Sequence, residues 1–314
     1  MTLYAPNVGE REMLKDQLLS QALVLGLYKN VITPDGNTTI DTLTELLKGG
    51  GEGYAQIALS RDIVEDAPAS GKWYISTDAN GKAVAQYGLA AAPQAWTFNA
   101  QDVADSETVY GIFLFTWVLP FDQGAKEIRV GDTIKGATSG ATGIVTCVEV
   151  QSGAWGAGTA AGNLKIMTKT GTFQDNENII VLGEVGTLNA TPTAGGNGYA
   201  LGDLVEIAAG GAGARVVVTA EAGGIVSAVA LATGGHGYTT GAGKATTKIT
   251  GAGNNDLTVN ITALASAIYA VVATGAGGDA QRKLRFTENQ SAGTAIVAVG
   301  QQVTYLPLIS LSTS

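Results

Sequence analysis

A chain of 314 residues is long enough for two or three domains with a sizeable core. With 45% hydrophobic and only 14% charged residues it has the balance of a folded protein, and 7 prolines against 44 glycines exclude a collagen-like stalk. A net charge of −9 presents nucleic acid with a repulsive surface, and a single cysteine excludes an intrachain disulfide.

Asn7 followed three residues later by Glu10 is a helix-start pattern. It predicts a helix over 7–21 with Met13, Leu14, Leu18 and Leu19 on one face. The stretch VLGLYKNVI at 24–32 predicts a strand ending in a turn at 33–37, and a second short helix is expected over 40–47 before three glycines. The period then changes to two. YAQIAL (54–59), KWYIST (72–77), WTFNA (96–100) and VYGIFLFTWV (109–118) all predict strands, their aromatics serving the core.

From about Ile128 small β units follow. GDTIKGATSGATGIVTCVEV opens on Gly131-Asp132 and closes on a strand; GDLVEIAAGGAGARVVVTA does the same from Gly202-Asp203. Cys147 is expected as a small buried apolar residue of the first unit. The block GGNGY at 195–199 returns as GGHGY at 234–238. Each copy bends the chain at glycines, Gly195-Gly196 or Gly234-Gly235, and supplies one aromatic, Tyr199 or Tyr238, to cover its own bend. Between them a hairpin is expected, with strands at 214–220 and 225–231. Beyond Ala263, strands are expected at 267–274, 282–286 and 295–311.

Chemistry is sparse. His236 is the single histidine, and Asn197 stands at its place in the other copy, which marks a turn residue rather than a catalyst or metal ligand. GAGKAT at 241–246 lacks the first glycine and the Ser/Thr of a phosphate loop, which leaves a turn before the strand TTKIT. GAGTAAG at 156–162 has no strand–helix unit around it, and ATSGATG at 137–143 lacks the flanking glycines of a nucleophile elbow. Asp175, Asn176 and Glu177 lack the spacing of a calcium loop and suit a solvated hairpin turn. No catalytic residue, cofactor or metal is expected, although one sequence cannot select a carboxylate pair that meets only in the fold.

The opening YAPNVGEREMLKDQLLSQALVLGLYKNVITP, with Pro6–Glu10, Met13-Leu14, Leu25–Asn30 and Ile32–Pro34 as the matching positions, resembles a family of small bacteriophage virion proteins. Gly53–Ala55, Thr108–Gly111 and the ending at Val299–Ser312 also fit, although Gln301-Gln302 replaces Asp-Thr. Such proteins are capsid decoration or cement components. The resemblance implies a mainly β fold: a β-sandwich or barrel base domain (1–120 and 265–314) with a short N-terminal helix. It also implies inserted Gly-rich β modules at 121–190 and 191–264, the latter like modules of phage tail and fibre proteins. The implied partners are the major capsid protein and the chain itself as a homotrimer, on the outer surface of a phage head assembled in the host cytoplasm. No nucleic acid or membrane partner is expected: the chain lacks the roughly 20-residue apolar run of a membrane span and a secretory start. Asn7, Met13, Leu14, Leu18, Leu27 and Tyr28 are the expected partner-binding residues. The rival expectation is an adhesin that binds host surface polysaccharide.

Overall fold

The computed structural model describes residues 7–35, 37–48, 51–275 and 282–310. The protein is mainly β, with one short N-terminal helix and a nearly closed barrel-like sheet. It divides into two compact units: 1–119 with 165–167 and 279–314, and 120–164 with 168–278.

Unit 1 opens with α1 (Asn7–Ser20). Asn7 is already helical, and the Glu10 carboxylate accepts from the Ala83 amide at 3.3 Å. The expected apolar face divides. Leu14 and Leu18, one turn apart, are buried, whereas Met13 and Leu19 are 57% and 49% exposed. A stripe at i and i+4 suffices because α1 lies on only one side of the core. The chain continues through β1 (Leu23–Tyr28), β2 (Ile57–Ala58), β3 (Ile63–Val64), β4 (Trp73–Thr77), β5 (Ala83–Tyr87) and β6 (Gln94–Thr97). After α2 (Ala100–Ala104) comes the long β7 (Thr108–Gly124).

β1 lies antiparallel between β2 and β7 and is buried on both faces. Its period of two sends Leu25 and Leu27 into one cluster with Leu14, Leu18, Trp73 and Ile75. Val24 and Tyr28 go into a second with Phe113 and Phe115. Gly26 pairs directly with Phe113, and a Cβ there would lie 2.5 Å from the ring.

Two expectations in this unit fail for local reasons. Residues 40–47 form only a single 3-10 turn, Ile40–Thr42. Asn30 keeps the rest extended, its amide donating to the Thr42 carbonyl and its oxygen accepting from the Thr44 amide. The strand expected through 100 stops at Thr97. Asn99 caps α2 in a reciprocal box, accepting from the Gln101 and Asp102 amides while Asp102 accepts from the Asn99 amide at 2.7 Å.

Unit 2 begins with the last residues of β7 and continues through β8 (Thr133–Gly136), β9 (Thr142–Ser152), β10 (Ala160–Thr170) and β11 (Asn178–Val181). Later comes β19 (Ile268–Val272), which pairs with β11 and with Phe121 and Asp122. It therefore belongs to unit 2 rather than to the base domain where the sequence reading put it. The order β10-β9-β8-β11-β19-β7, with β10 also pairing β7, nearly closes a barrel. Cys147 lies past the stretch of β9 paired with β8 and is half-buried, not buried.

The GGxGY region holds β12 (Val185–Leu188), β13 (Ala194–Gly195), β14 (Leu204–Ile207), β15 (Ala212–Ala222), β16 (Ile225–His236), β17 (Gly241–Lys248) and β18 (Leu257–Leu264). Its order, β12-β18-β17-β14-β15-β16, is symmetric about the central antiparallel pair β14–β17. Residues 183–222 and 224–264 are thus two structural repeats, and the first strand of each pairs with the last strand of the other. Glycine conformation follows the same duplication. Gly196 and Gly198 have φ of 60° and 79°, Gly235 and Gly237 of 56° and 75°. The Tyr199 amide donates to the Gly224 carbonyl, and the Tyr238 amide donates to that of Gly183, each glycine standing just before a repeat's first strand.

Tyr199 and Tyr238 are both buried in one core with Val205, Ile207, Val216 and Val259. Tyr199 covers its own bend at Gly196, and a Cβ on Gly253 of the second repeat would overlap the same ring. Tyr238 lies over Gly211 of the first repeat, 2.7 Å from a Cβ placed there. Each ring therefore closes a hairpin of the other repeat. Gly195 and Gly234 lie within strands β13 and β16 rather than in free turns, and GAGKAT is itself β17.

The chain returns to unit 1 with β20 (Arg282–Ala295), β21 (Gln302–Tyr305) and β22 (Leu308–Ser310). These pair with β7, β6 and β5. The strand expected over 295–311 is broken by a turn in which Gly300 has a φ of 83°, and residue 311 lies outside the described residues.

Two substitutions test this packing by urea denaturation. Gly26→Ala is expected to destabilise by about 1–3 kcal/mol, because the buried Phe113 ring has no room to retreat. Tyr238→Phe is expected to cost about 1–3 kcal/mol, since it strands the Ile207 carbonyl, which accepts from the hydroxyl at 2.8 Å, and the Ala214 amide, which donates to it at 3.2 Å. Tyr199→Phe loses one bond, from the Asn255 amide, and should cost less.

Candidate functional site

The best-formed cleft among the described residues lies wholly in unit 2 and has a volume of about 580 Å³. Its polar groups come from Lys126, Arg129, Asp132, Glu184, Arg215 and His236, and part of its wall is bare backbone at Gly213, Gly234 and Gly235.

A turn places the innermost carboxylate. Gly131, at φ 96°, carries the chain into Asp132, whose Oδ2 accepts from the Arg129 amide at 2.8 Å. The Gly131 amide donates to the Val145 carbonyl, and the Val145 amide donates back to that of Asp132. Gly202-Asp203 repeats every part of this: Asp203 accepts from the Ala200 amide, and Gly202 and Asp203 exchange hydrogen bonds with Val218. The two Gly-Asp units of the sequence are the same turn. At the first, the remaining oxygen of Asp132, Oδ1, lies 2.8 Å from Nδ1 of His236. Burial raises the Asp132 carboxyl above its usual range, opposed by the Arg129 amide and the charge of His236.

Deeper polar contacts involve Glu184, which accepts from Lys126 Nζ at 2.5 Å. Lys126 also stands 4.7 Å over the Tyr269 ring. Burial, and then the hydrogen bond with Glu184, push the Tyr269 hydroxyl well above its usual range. At the rim Arg129 donates through Nε and Nη2 to Glu127.

His236 is therefore more than a turn residue. Sequence reasoning missed its role because Asp132 is over a hundred positions away; the only signal was the Asn-to-His difference between the two copies. Asp175 and Asn176 do form the exposed turn expected there, with Asn176 at φ 58°, and only Glu177 departs from it. Glu177 is buried and accepts from the Gln174, Thr138 and Ser139 amides and the Ser139 hydroxyl. Burial raises its carboxyl, but these donors outweigh it and hold the group below its usual range. Among the described residues no group of three or more His, Cys, Asp or Glu is placed to hold a metal ion.

The residues expected to bind a partner are mostly interior. Leu14, Leu18, Leu27 and Tyr28 are enclosed by the core of unit 1 and hold α1 and β1 in place; Met13 is exposed. Asn7 begins α1. No family model, curated protein or solved structure matches this chain.

A second polar cluster, in unit 1, bears on pH. Enclosure of Glu52, followed by hydrogen bonds with Asp105 and Asp102, raises its carboxyl to about 7. The folded state thus holds a proton that the unfolded chain releases near the ordinary glutamate value. Its stabilising contribution is complete below that value and is lost as pH rises through about 7. The melting temperature is expected to fall between pH 5 and pH 8, and Glu52→Gln should flatten that fall; an unchanged slope would assign the dependence elsewhere.

Proposed function

We propose that the protein is a structural component of a bacteriophage virion, a decoration or cement protein that binds the shell through unit 1, as a homotrimer. The observation that carries the reading is where the family-type positions fall. Among the described residues they lie in unit 1, from both ends of the chain, and four of them, Leu27, Lys29, Gly53 and Tyr54, are bonded to one another or to nearby carboxylates. Tyr54 of the GYA segment receives the Leu27 amide at 3.0 Å and donates to Glu45 at 2.8 Å. Lys29 of the LYKN segment pairs with Glu107 at 2.6 Å, immediately before the TVYG strand. The Gly53 and Tyr54 amides donate to Asp102.

These residues build the base and leave docking to its surface. The outward side of α1, where Met13 and Leu19 are exposed beside Glu12, Asp16 and Gln17, is the surface that the reading assigns to the shell. A lasting interface of this kind buries about 1,000 Å² or more around an apolar centre. Unit 2 supplies no docking residue under this reading.

The test is add-back of purified protein to phage heads that lack it, followed by cryo-electron microscopy. Density at regular sites on the head is expected. The double variant Met13→Glu with Leu19→Glu should retain the wild-type melting temperature and lose about tenfold or more in head occupancy. Density confined to a tail tip would overturn the shell reading in favour of an adhesin.

A further inference from the structure

We propose that the unit 2 cleft binds a carboxylate-bearing saccharide, of which a short oligouronide is the simplest example. This goes beyond the shell reading: it concerns the protein free in solution and holds or fails without a particle.

The first support is the ordering of charge by depth. The inner carboxylates are already engaged, Asp132 by His236 and Glu184 by Lys126, and their side chains are only 4% and 11% exposed. The outward groups are different. Lys126 is 42% and Arg129 67% exposed, and Arg215 is exposed as well, against Glu127 as the one outward carboxylate. Lys126 and Arg129 are paired with Glu184 and Glu127, so among the described residues the mouth of the cleft carries one uncompensated cation, Arg215, on a chain whose net charge is −9. Such a contrast selects an anion, while the inner acids and the acidic surface oppose a long polyanion such as nucleic acid.

The second support is the state of the donors. Arg215 makes no side-chain hydrogen bond or ion pair among the described residues, although its backbone is fixed by pairing with Thr233. A guanidinium with an open fork matches a carboxylate through two parallel hydrogen bonds. His236 lines the same cleft, with Nδ1 2.8 Å from Asp132 Oδ1.

The third support is shape. Gly213, Gly234 and Gly235 line the cleft; the Cβ positions of Gly234 and Gly235 are filled by Glu184, Val185 and the 212–214 backbone, and Gly213 leaves open space where a hydroxylated ring can approach the backbone. The volume lies within the usual range of small-molecule sites. Its charged lining suits a hydrated ligand and not an apolar one.

Isothermal titration calorimetry on the full chain tests the proposal, with trigalacturonate, its neutral counterpart galactotriose, and inorganic phosphate as probes. Trigalacturonate is expected to bind and to weaken as salt is raised; galactotriose should bind at least about tenfold more weakly. Arg215→Ala should reduce trigalacturonate affinity about tenfold with an unchanged melting temperature, and Arg215→Lys should fall between. Absence of trigalacturonate binding, equal binding of galactotriose, or an undiminished Arg215→Ala variant overturns the proposal. Phosphate binding as tight as trigalacturonate would overturn the saccharide assignment and leave a simple anion site.

Discussion

The interlock of the two GGxGY repeats is the constraint on which unit 2 turns. Neither repeat can complete its own sheet. The first strand of one must find the last strand of the other, and each buried tyrosine closes a glycine hairpin contributed by its counterpart. Hydrogen bonds reinforce the exchange, because the hydroxyls of Tyr238 and Tyr199 receive amides from the hairpins they cover. Burying an aromatic ring against bare backbone is strongly favourable only if the ring's polar end finds partners. Here both ends are met, and the two halves form one core rather than two small ones that would each be marginal.

What was legible in the sequence follows from how far each signal reaches. Positive φ at the glycines of GGxGY is a property of a few adjacent residues, and the duplicated block announced it directly. That Tyr238 also covers Gly211 of the other repeat depends on which strands pair, and periodicity carries no information about pairing partners. The same division holds in unit 1. The helix over the first residues was visible, but its buried stripe was narrower than the apolar residues suggested, because exposure of Met13 and Leu19 depends on what α1 packs against. At 40–47 a plausible helical pattern lost to the side chain of Asn30, which satisfies the local backbone better than a helix would.

The candidate site was the least legible part, and the reason lies in its construction from reused parts. The Gly-Asp turn occurs twice with the same hydrogen bonds, and at Gly202-Asp203 the second carboxylate oxygen has no imidazole beside it. The GGxGY bend likewise occurs twice, and at Asn197 it contributes an amide rather than an imidazole. Only where the first Gly-Asp turn meets the second GGxGY bend do Asp132 and His236 come within 2.8 Å. Each part is common turn chemistry by itself. The chemistry arises from their meeting.

That asymmetry bears on why one position differs between otherwise matched repeats. The bends at Gly196-Asn197-Gly198 and Gly235-His236-Gly237 have the same left-handed glycines on either side, so the fold alone asks only for a residue that tolerates a tight bend. Asparagine meets that demand in the first repeat, where its backbone exchanges hydrogen bonds with Asn254. In the second repeat the bend faces a buried carboxylate, Asp132, whose Oδ1 lies 2.8 Å from His236 Nδ1. An imidazole brings one ring nitrogen to the acid and keeps a second nitrogen besides. The departure from repeat symmetry is thus placed where two ordinary turns become a site.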